Sequence, residues 1–184
     1  MLLTYLLGSV PFGLLLVRWQ TGKDVREHGS GNIGATNVAR VAGWRIAGIV
    51  LALDAAKGFV PAAVAWYVLE LSTLSLAAGF AAVIGHCWSI WLRGKGGKGV
   101  ATSAGVLLAL VPIATVPAAV IWWCVYAITK KSSLAAMVAL VVIQGLIWML
   151  DPKWLSLSLP LAGILIVCHR ANIRRLLTGS ELGV

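Results

Sequence analysis

Four glycines and three cations occupy seven consecutive positions, Arg93-Gly94-Lys95-Gly96-Gly97-Lys98-Gly99, with apolar sequence on either side. Glycine has no Cβ, so successive backbone N–H groups can turn toward one point. N–H groups arranged this way make a concave anion site, and a helix that starts directly afterwards adds its positive end. The lysines contribute point charges suited to phosphate. The chemistry indicated is the handling of a phosphate-sized anion. The segment is not a Walker A loop: Gly94 and Gly99 have the G-x4-G spacing, but Val100 stands where the lysine is required. The competing reading is a basic turn joining two transmembrane helices.

A second polar segment, His28-Gly29-Ser30-Gly31-Asn32-Ile33-Gly34-Ala35-Thr36-Asn37, is followed by Arg40 and Arg45. Ser30, Asn32, Thr36 and Asn37 offer donors and acceptors to hydroxyl groups. The two arginines can grip phosphate through planar, paired N–H groups. A capped amphipathic turn with snorkelling arginines would also account for the pattern. The third segment is Cys168-His169-Arg170-Ala171-Asn172-Ile173-Arg174-Arg175, followed by Glu181. A helix would put His169 and Asn172 on one face. Asp54 and Lys57 form an i, i+3 pair inside an apolar run, and mutual pairing is their simplest reading.

Several chemistries lack their residues. No histidine is followed by aspartate at the H-x4-D spacing, and there is no G-x-S-x-G. Six scattered acidic residues give no multi-carboxylate magnesium site. Joining His86-Cys87 to Cys168-His169 at a metal would need a tetrahedral site that nothing else in the sequence supports. The three cysteines, Cys87, Cys124 and Cys168, lie in or beside apolar runs and read as small buried side chains.

The elements that must position these segments are transmembrane helices. The chain has 184 residues, 60% of them apolar and 11% charged, against about 25% charged in soluble domains. A spanning segment must satisfy its own backbone, so helices are expected. Apolar runs fall near 1–19, 44–69, 72–92, 99–112, 114–129, 132–150 and 154–169. The first lacks a charged leader and cleavage site, and reads as a retained helix. The stretch 99–129 is one helix kinked by Pro112 and Pro117, or two short ones. Short cytoplasmic loops collect Lys and Arg. Two helices put thirteen of the fifteen Lys and Arg residues on one side, with Lys153 on the other and Lys57 inside a span. One helix splits them nine against five. The expectation is an all-α membrane protein of about seven helices in a single domain, 1–184, with its N-terminus outside and its C-terminus cytoplasmic. The net charge of +9 is then a cytoplasmic belt and not a nucleic-acid footprint. All three polar segments fall on that side, which suggests one composite site.

These motifs, in this order and over nearly the whole length, resemble the bacterial acyl-phosphate-dependent glycerol-3-phosphate acyltransferases. Gly8-Ser9-Val10-Pro11-Phe12-Gly13 resembles that family's first-helix signature, and Ser30 to Asn37 with Arg40 its first loop motif. Asp54 through Gly58 is similar to its D-x-x-K-G. Gly85-His86 with Lys95 to Thr102 resembles its second loop motif, and His169 to Leu176 its third. Ser89 stands where the family usually has proline, and Gly94 where it usually has an aromatic residue.

The resemblance implies transfer of a fatty acyl group from acyl phosphate to the 1-hydroxyl of sn-glycerol 3-phosphate. It implies a multi-pass enzyme of phospholipid synthesis in the bacterial inner membrane, with its site facing the cytoplasm. The implied partners are acyl phosphate, sn-glycerol 3-phosphate and membrane lipid, with no nucleic acid; no cofactor or metal is called for, and a monomer suffices. The catalytic candidates are His169, Ser30 and Lys98. The substrate-binding candidates are Asn32, Thr36, Asn37, Arg40, Arg45, Lys95, Gly96, Gly97, Gly99 and Asn172. Amides around Gly96, Gly97 and Gly99 would hold phosphate. His169 would position the acceptor, whose proton passes to substrate phosphate. Two rival classes are a transporter of phosphorylated metabolites, which would need polar groups deep in several spans, and a membrane phosphatase or head-group transferase, which would need an acid or metal cluster.

Overall fold

The computed structural model describes residues 1–70 and 72–183, and every regular element among them is helical. The chain divides into two compact units, Met1–Val106 and Leu107–Val184.

The first unit opens with α1 (Leu2–Ser9) and α2 (Phe12–Thr21). The break between them is written in Val10-Pro11. A residue before proline is pushed out of the helical region, and Val10 has φ −59° and ψ 119°. Leu2–Thr21 is nonetheless apolar and long enough to cross a membrane. The loop that follows carries a 3-10 turn, Val25–Glu27, and a short amphipathic helix, α3 (Ala35–Ala42). Then come α4 (Trp44–Ala63), extended by a π-helical turn Val64–Val68, and α5 (Ser72–Cys87). A 3-10 turn, Ile90–Leu92, leads through the glycine segment into α6 (Val100–Leu110), whose last turn lies in the second unit.

Helix–helix contact in this unit runs through glycine. A Cβ on Gly8 of α1 would fall on the Ala82 carbonyl of α5, and one on Gly85 would fall on the Tyr5 carbonyl. Gly58 of α4 meets the Thr102 carbonyl of α6, and Gly105 meets that of Ala55. In lipid no hydrophobic force separates one apolar helix face from another, so close backbone approach at small residues supplies the packing. Beneath the loops, Val25, Ile33, Val38 and Leu92 join Leu14, Val17, Ile46 and Val50 in one buried cluster.

The second unit contains α7 (Pro112–Thr129), α8 (Ser132–Leu150), α9 (Leu155–Cys168) and α10 (Arg170–Leu177). Val111, at φ −138° and ψ 59°, lies outside the helical region and precedes a proline that starts α7. The stretch 99–129 is therefore two helices, as the charge distribution favoured. Between α8 and α9, the Ser158 hydroxyl donates to Gln144 Oε1 at 2.7 Å. α9 and α10 bend by 64°, and His169 is the residue between them.

Among the described residues, five helices are long and apolar enough to cross a membrane, or six if the bent α9–α10 pair counts as one span. Seven were expected. The seventh is α6, which has 11 residues; at about 1.5 Å per residue it covers roughly half of a bilayer core about 30 Å thick.

Candidate functional site

The first loop is organised by one side chain. Asn37 sits in the first turn of α3 and is 1% exposed. Its Nδ2 donates to the carbonyls of Val25, His28 and Asn32 at 2.9–3.0 Å, and its Oδ1 accepts the Ser30 N–H at 2.8 Å. The Asn32 carboxamide oxygen accepts the Gly34 N–H at 2.9 Å, just ahead of α3. Gly29 has φ +58°, and a Cβ there would strike Asn37 Oδ1. The loop is wrapped around Asn37, which makes that residue its staple. Ser30, Thr36 and Arg40 are half-buried around the staple, and Arg45 is exposed on the first turn of α4.

The glycine segment is seated on the end of α5. Gly97 N–H donates to the His86 carbonyl at 2.9 Å and Gly96 N–H to the Cys87 carbonyl at 3.1 Å. Gly94 and Lys95 donate to Ser89 and Leu92. The Gly96 and Gly97 amides, expected to face an anion, thus serve the loop's own fold. Their glycine requirement has a steric origin: a Cβ on Gly96 would meet the His86 carbonyl, and one on Gly97 the His86 imidazole Nε2. Gly99, at φ +83°, turns the chain into α6, whose ladder begins with Ser103 N–H to the Gly99 carbonyl. The first amides of a helix have no intrahelical acceptor, so the anion-attracting end of α6 opens directly after Lys98. Lys98 is half-buried there and Lys95 is exposed. Because Leu92 and the first loop share a buried cluster, both loops rest on one base.

The two departures from the family pattern fit locally. Ser89 has φ −61°, an angle proline would also adopt. Its hydroxyl donates to the Ser9 carbonyl at 2.6 Å, joining the end of α5 to the end of α1. Gly94 has φ +78°, a conformation a bulky side chain rarely takes.

In the second unit His169 is 2% and Asn172 4% exposed. His169 Nδ1 lies 2.8 Å from the Leu165 carbonyl. A carbonyl only accepts, so Nδ1 carries the hydrogen, and Nε2 of the neutral ring is an acceptor. Asn172 Nδ2 donates to Glu181 Oε1 at 2.6 Å, the Ser133 hydroxyl donates to the same oxygen at 2.7 Å, and Arg175 Nε donates to Oε2 at 2.7 Å. Burial pushes the Glu181 carboxyl up, but the bonds from Ser133, Asn172 and Arg175 outweigh it and hold it below the usual carboxylate range.

Sequence reasoning paired Asp54 with Lys57, and they lie 2.7 Å apart, 3% and 3% exposed. It did not bring in His86, whose Nδ1 is 3.6 Å from Asp54 Oδ1. Nor did it bring in the Val10 carbonyl, which accepts from Lys57 Nζ at 3.0 Å. A break at Val10-Pro11 leaves carbonyls of α1 without helical partners, and a buried cation beside that break was the available signal.

Residues 1–179 match the model of a family described as glycerol-3-phosphate acyltransferase. A protein of that name from Myxococcus xanthus is 46% identical, covering 98% of this chain and 95% of its own. One from Erythrobacter litoralis is 48% identical, over 98% and 91%. The fold is also that of PlsY (YgiH), an integral membrane glycerol 3-phosphate acyltransferase. Its glycerol 3-phosphate form matches with TM-score 0.93 and 34% identity, covering all of this chain and 92% of that one. Its lysophosphatidic acid form matches at 0.89 and 33%, over 99% and 92%.

Proposed function

This chain belongs to the glycerol-3-phosphate acyltransferase family and is an integral membrane acyltransferase, and from that premise we propose its donor, its product and the roles of its residues. The donor is an acyl phosphate and the acceptor hydroxyl is the 1-hydroxyl of sn-glycerol 3-phosphate. The hydroxyl oxygen attacks the acyl carbon, and the bond from that carbon to the phosphate oxygen breaks. The products are 1-acylglycerol 3-phosphate and inorganic phosphate. The observation that carries this reading is the likeness, over the whole chain, to a relative solved in a glycerol 3-phosphate form and in a lysophosphatidic acid form. The missing H-x4-D spacing supports a donor other than acyl-CoA.

An acyl phosphate is a mixed anhydride with a good leaving group, so orientation and charge stabilisation suffice. Lys95, Lys98, Gly99 and the start of α6 hold phosphate and stabilise the leaving group, with Gly96 and Gly97 shaping the loop. Ser30, Asn32, Thr36, Arg40 and Arg45 grip the acceptor from a loop fixed by Asn37. His169 Nε2 accepts the hydrogen of the acceptor's 2-hydroxyl and so orients the molecule, with Asn172, three residues on, turned by Glu181. The 1-hydroxyl keeps its hydrogen free of the imidazole, and that proton passes to a substrate phosphate oxygen. The enzyme works in the bacterial inner membrane with its site toward the cytoplasm, as the one-sided charge supports.

The test is acyl transfer by purified protein. Palmitoyl phosphate and glycerol 3-phosphate should give lysophosphatidic acid and inorganic phosphate in equal amounts, with no product from palmitoyl-CoA alone. Robust transfer from palmitoyl-CoA in the absence of any acyl phosphate would overturn the donor assignment.

A further inference from the structure

A histidine buried under the glycine loop has no part in the reaction described so far. His86 is 4% exposed at the last turn of α5. Its carbonyl holds the Gly97 N–H, its Nε2 lies against Gly97, and the next carbonyl holds Gly96. On the other side of the ring, Nδ1 faces Asp54 Oδ1 at 3.6 Å and meets no well-directed hydrogen-bond partner among the described residues. Oδ1 takes the Lys57 ammonium at 2.7 Å, yet no well-directed hydrogen bond reaches it. A buried polar atom without a partner is uncommon and calls for a reason. Lys57 is itself tied to the Val10 carbonyl and lies 5.6 Å from the Phe12 ring centroid. The ion pair therefore belongs to α4 and to the break between α1 and α2, and the His86 side chain links it to the loop.

We propose that His86 is a positioning residue for phosphate binding: set against Asp54 on one edge and Gly97 on the other, its ring fixes where the Lys95–Gly99 segment presents Lys98. The proposal rests on the phosphate-holding reading of that segment. A histidine fits this place because it is flat enough to lie against a backbone that carries no Cβ, and polar enough to meet a carboxylate. The glycine at 97 and the histidine at 86 are two halves of one contact. A change in either displaces a cation that the substrate needs within hydrogen-bonding distance, and misplacement by about 1 Å costs on the order of 10²-fold in rate.

Coupling separates positioning from general structure. Steady-state kinetics would be measured for His86→Gln, His86→Ala, Lys98→Ala and the double variant His86→Ala/Lys98→Ala, with palmitoyl phosphate and glycerol 3-phosphate each varied. We expect His86→Ala to lower kcat/KM about tenfold or more. The rise in KM should fall on the same substrate whose KM rises in Lys98→Ala, and His86→Gln should recover part of the loss. In the Lys98→Ala background the His86 change should cost less than about twofold, because residues that act through one another are not additive. Equal losses in both backgrounds would overturn the inference while leaving the phosphate loop intact. Lys98→Ala with unchanged kinetics would overturn the loop reading and this inference with it. If His86→Ala does not fold, His86→Gln carries the same comparison. Failure of that variant to fold also counts against the proposal, since a role confined to the loop leaves the helices assembled.

Discussion

Two of the three candidate asparagines, Asn37 and Asn172, do different jobs. The Asn37 carboxamide is spent on four backbone groups, whereas Asn172 gives its Nδ2 to Glu181 and keeps Oδ1 as its accepting end. A sequence shows that both can form hydrogen bonds and not which way they point, so the two looked alike. His169 was legible as the third motif's titratable group, but its tautomer follows only from the Leu165 carbonyl beside Nδ1. That geometry predicts the kinetics of replacement. His169→Gln and His169→Ala should raise KM for glycerol 3-phosphate, with Gln the milder, because a ground-state contact is lost along with its transition-state counterpart. Steady-state measurements across pH, with glycerol 3-phosphate varied, would check this. The prediction fails if both variants keep the acceptor KM, lose kcat equally by about 10²–10⁴-fold and lose a titration near neutral pH, which is the signature of a general base.

Among elements, the helices were legible and their breaks only partly so. Pro112 marked the start of α7, and charge counting chose two helices over one. The Val10-Pro11 break was missed because the proline lies inside an apolar run of membrane length that reads as one span. The C-terminal tail was legible only in part: Glu181 stood out after the third motif as a residue that could orient a loop, but too little after Leu177 is apolar to suggest order, and its tie is to α8 and α10. Its carboxyl is held below the ordinary Glu range, and its side chain is 5% exposed. The folded state therefore binds this proton less readily than the unfolded chain. The tie contributes stability above about pH 4.3 and loses it as the pH falls through the lower folded value. Thermal unfolding of the detergent-purified protein should accordingly show Tm falling as pH drops below about 4.3. Glu181→Gln should flatten that part of the curve, and Glu181→Ala should be less stable at pH 7 by about 1–3 kcal/mol. Equal slopes for wild type and Glu181→Gln would remove the tie from the account.

For the molecule as a whole, composition and motif order were enough to place it in a membrane and in its family, since both are properties of the full chain. Topology is the property most open to test. The one-sided distribution of cations predicts that Arg93 and Lys131 face the cytoplasm. Single cysteines at these positions, introduced after Cys87, Cys124 and Cys168 are replaced, should react with an impermeant reagent from the cytoplasmic side only. Labelling of the two positions from opposite sides would rule out the seven-span arrangement.

The glycine seams between α1 and α5 and between α4 and α6 carry a genetic consequence. At Gly8, Gly58, Gly85 and Gly105 the neighbour that blocks an added methyl group is a backbone carbonyl, which cannot swing aside as a side chain can. Alanine, the mildest coding change available, must push one helix away from another there. Random mutagenesis scored for lost growth should therefore return alanine alleles at these four silent-looking positions beside the expected losses of charge in the loops. Their suppressors should be small-residue changes in the facing helix and not changes near the substrate.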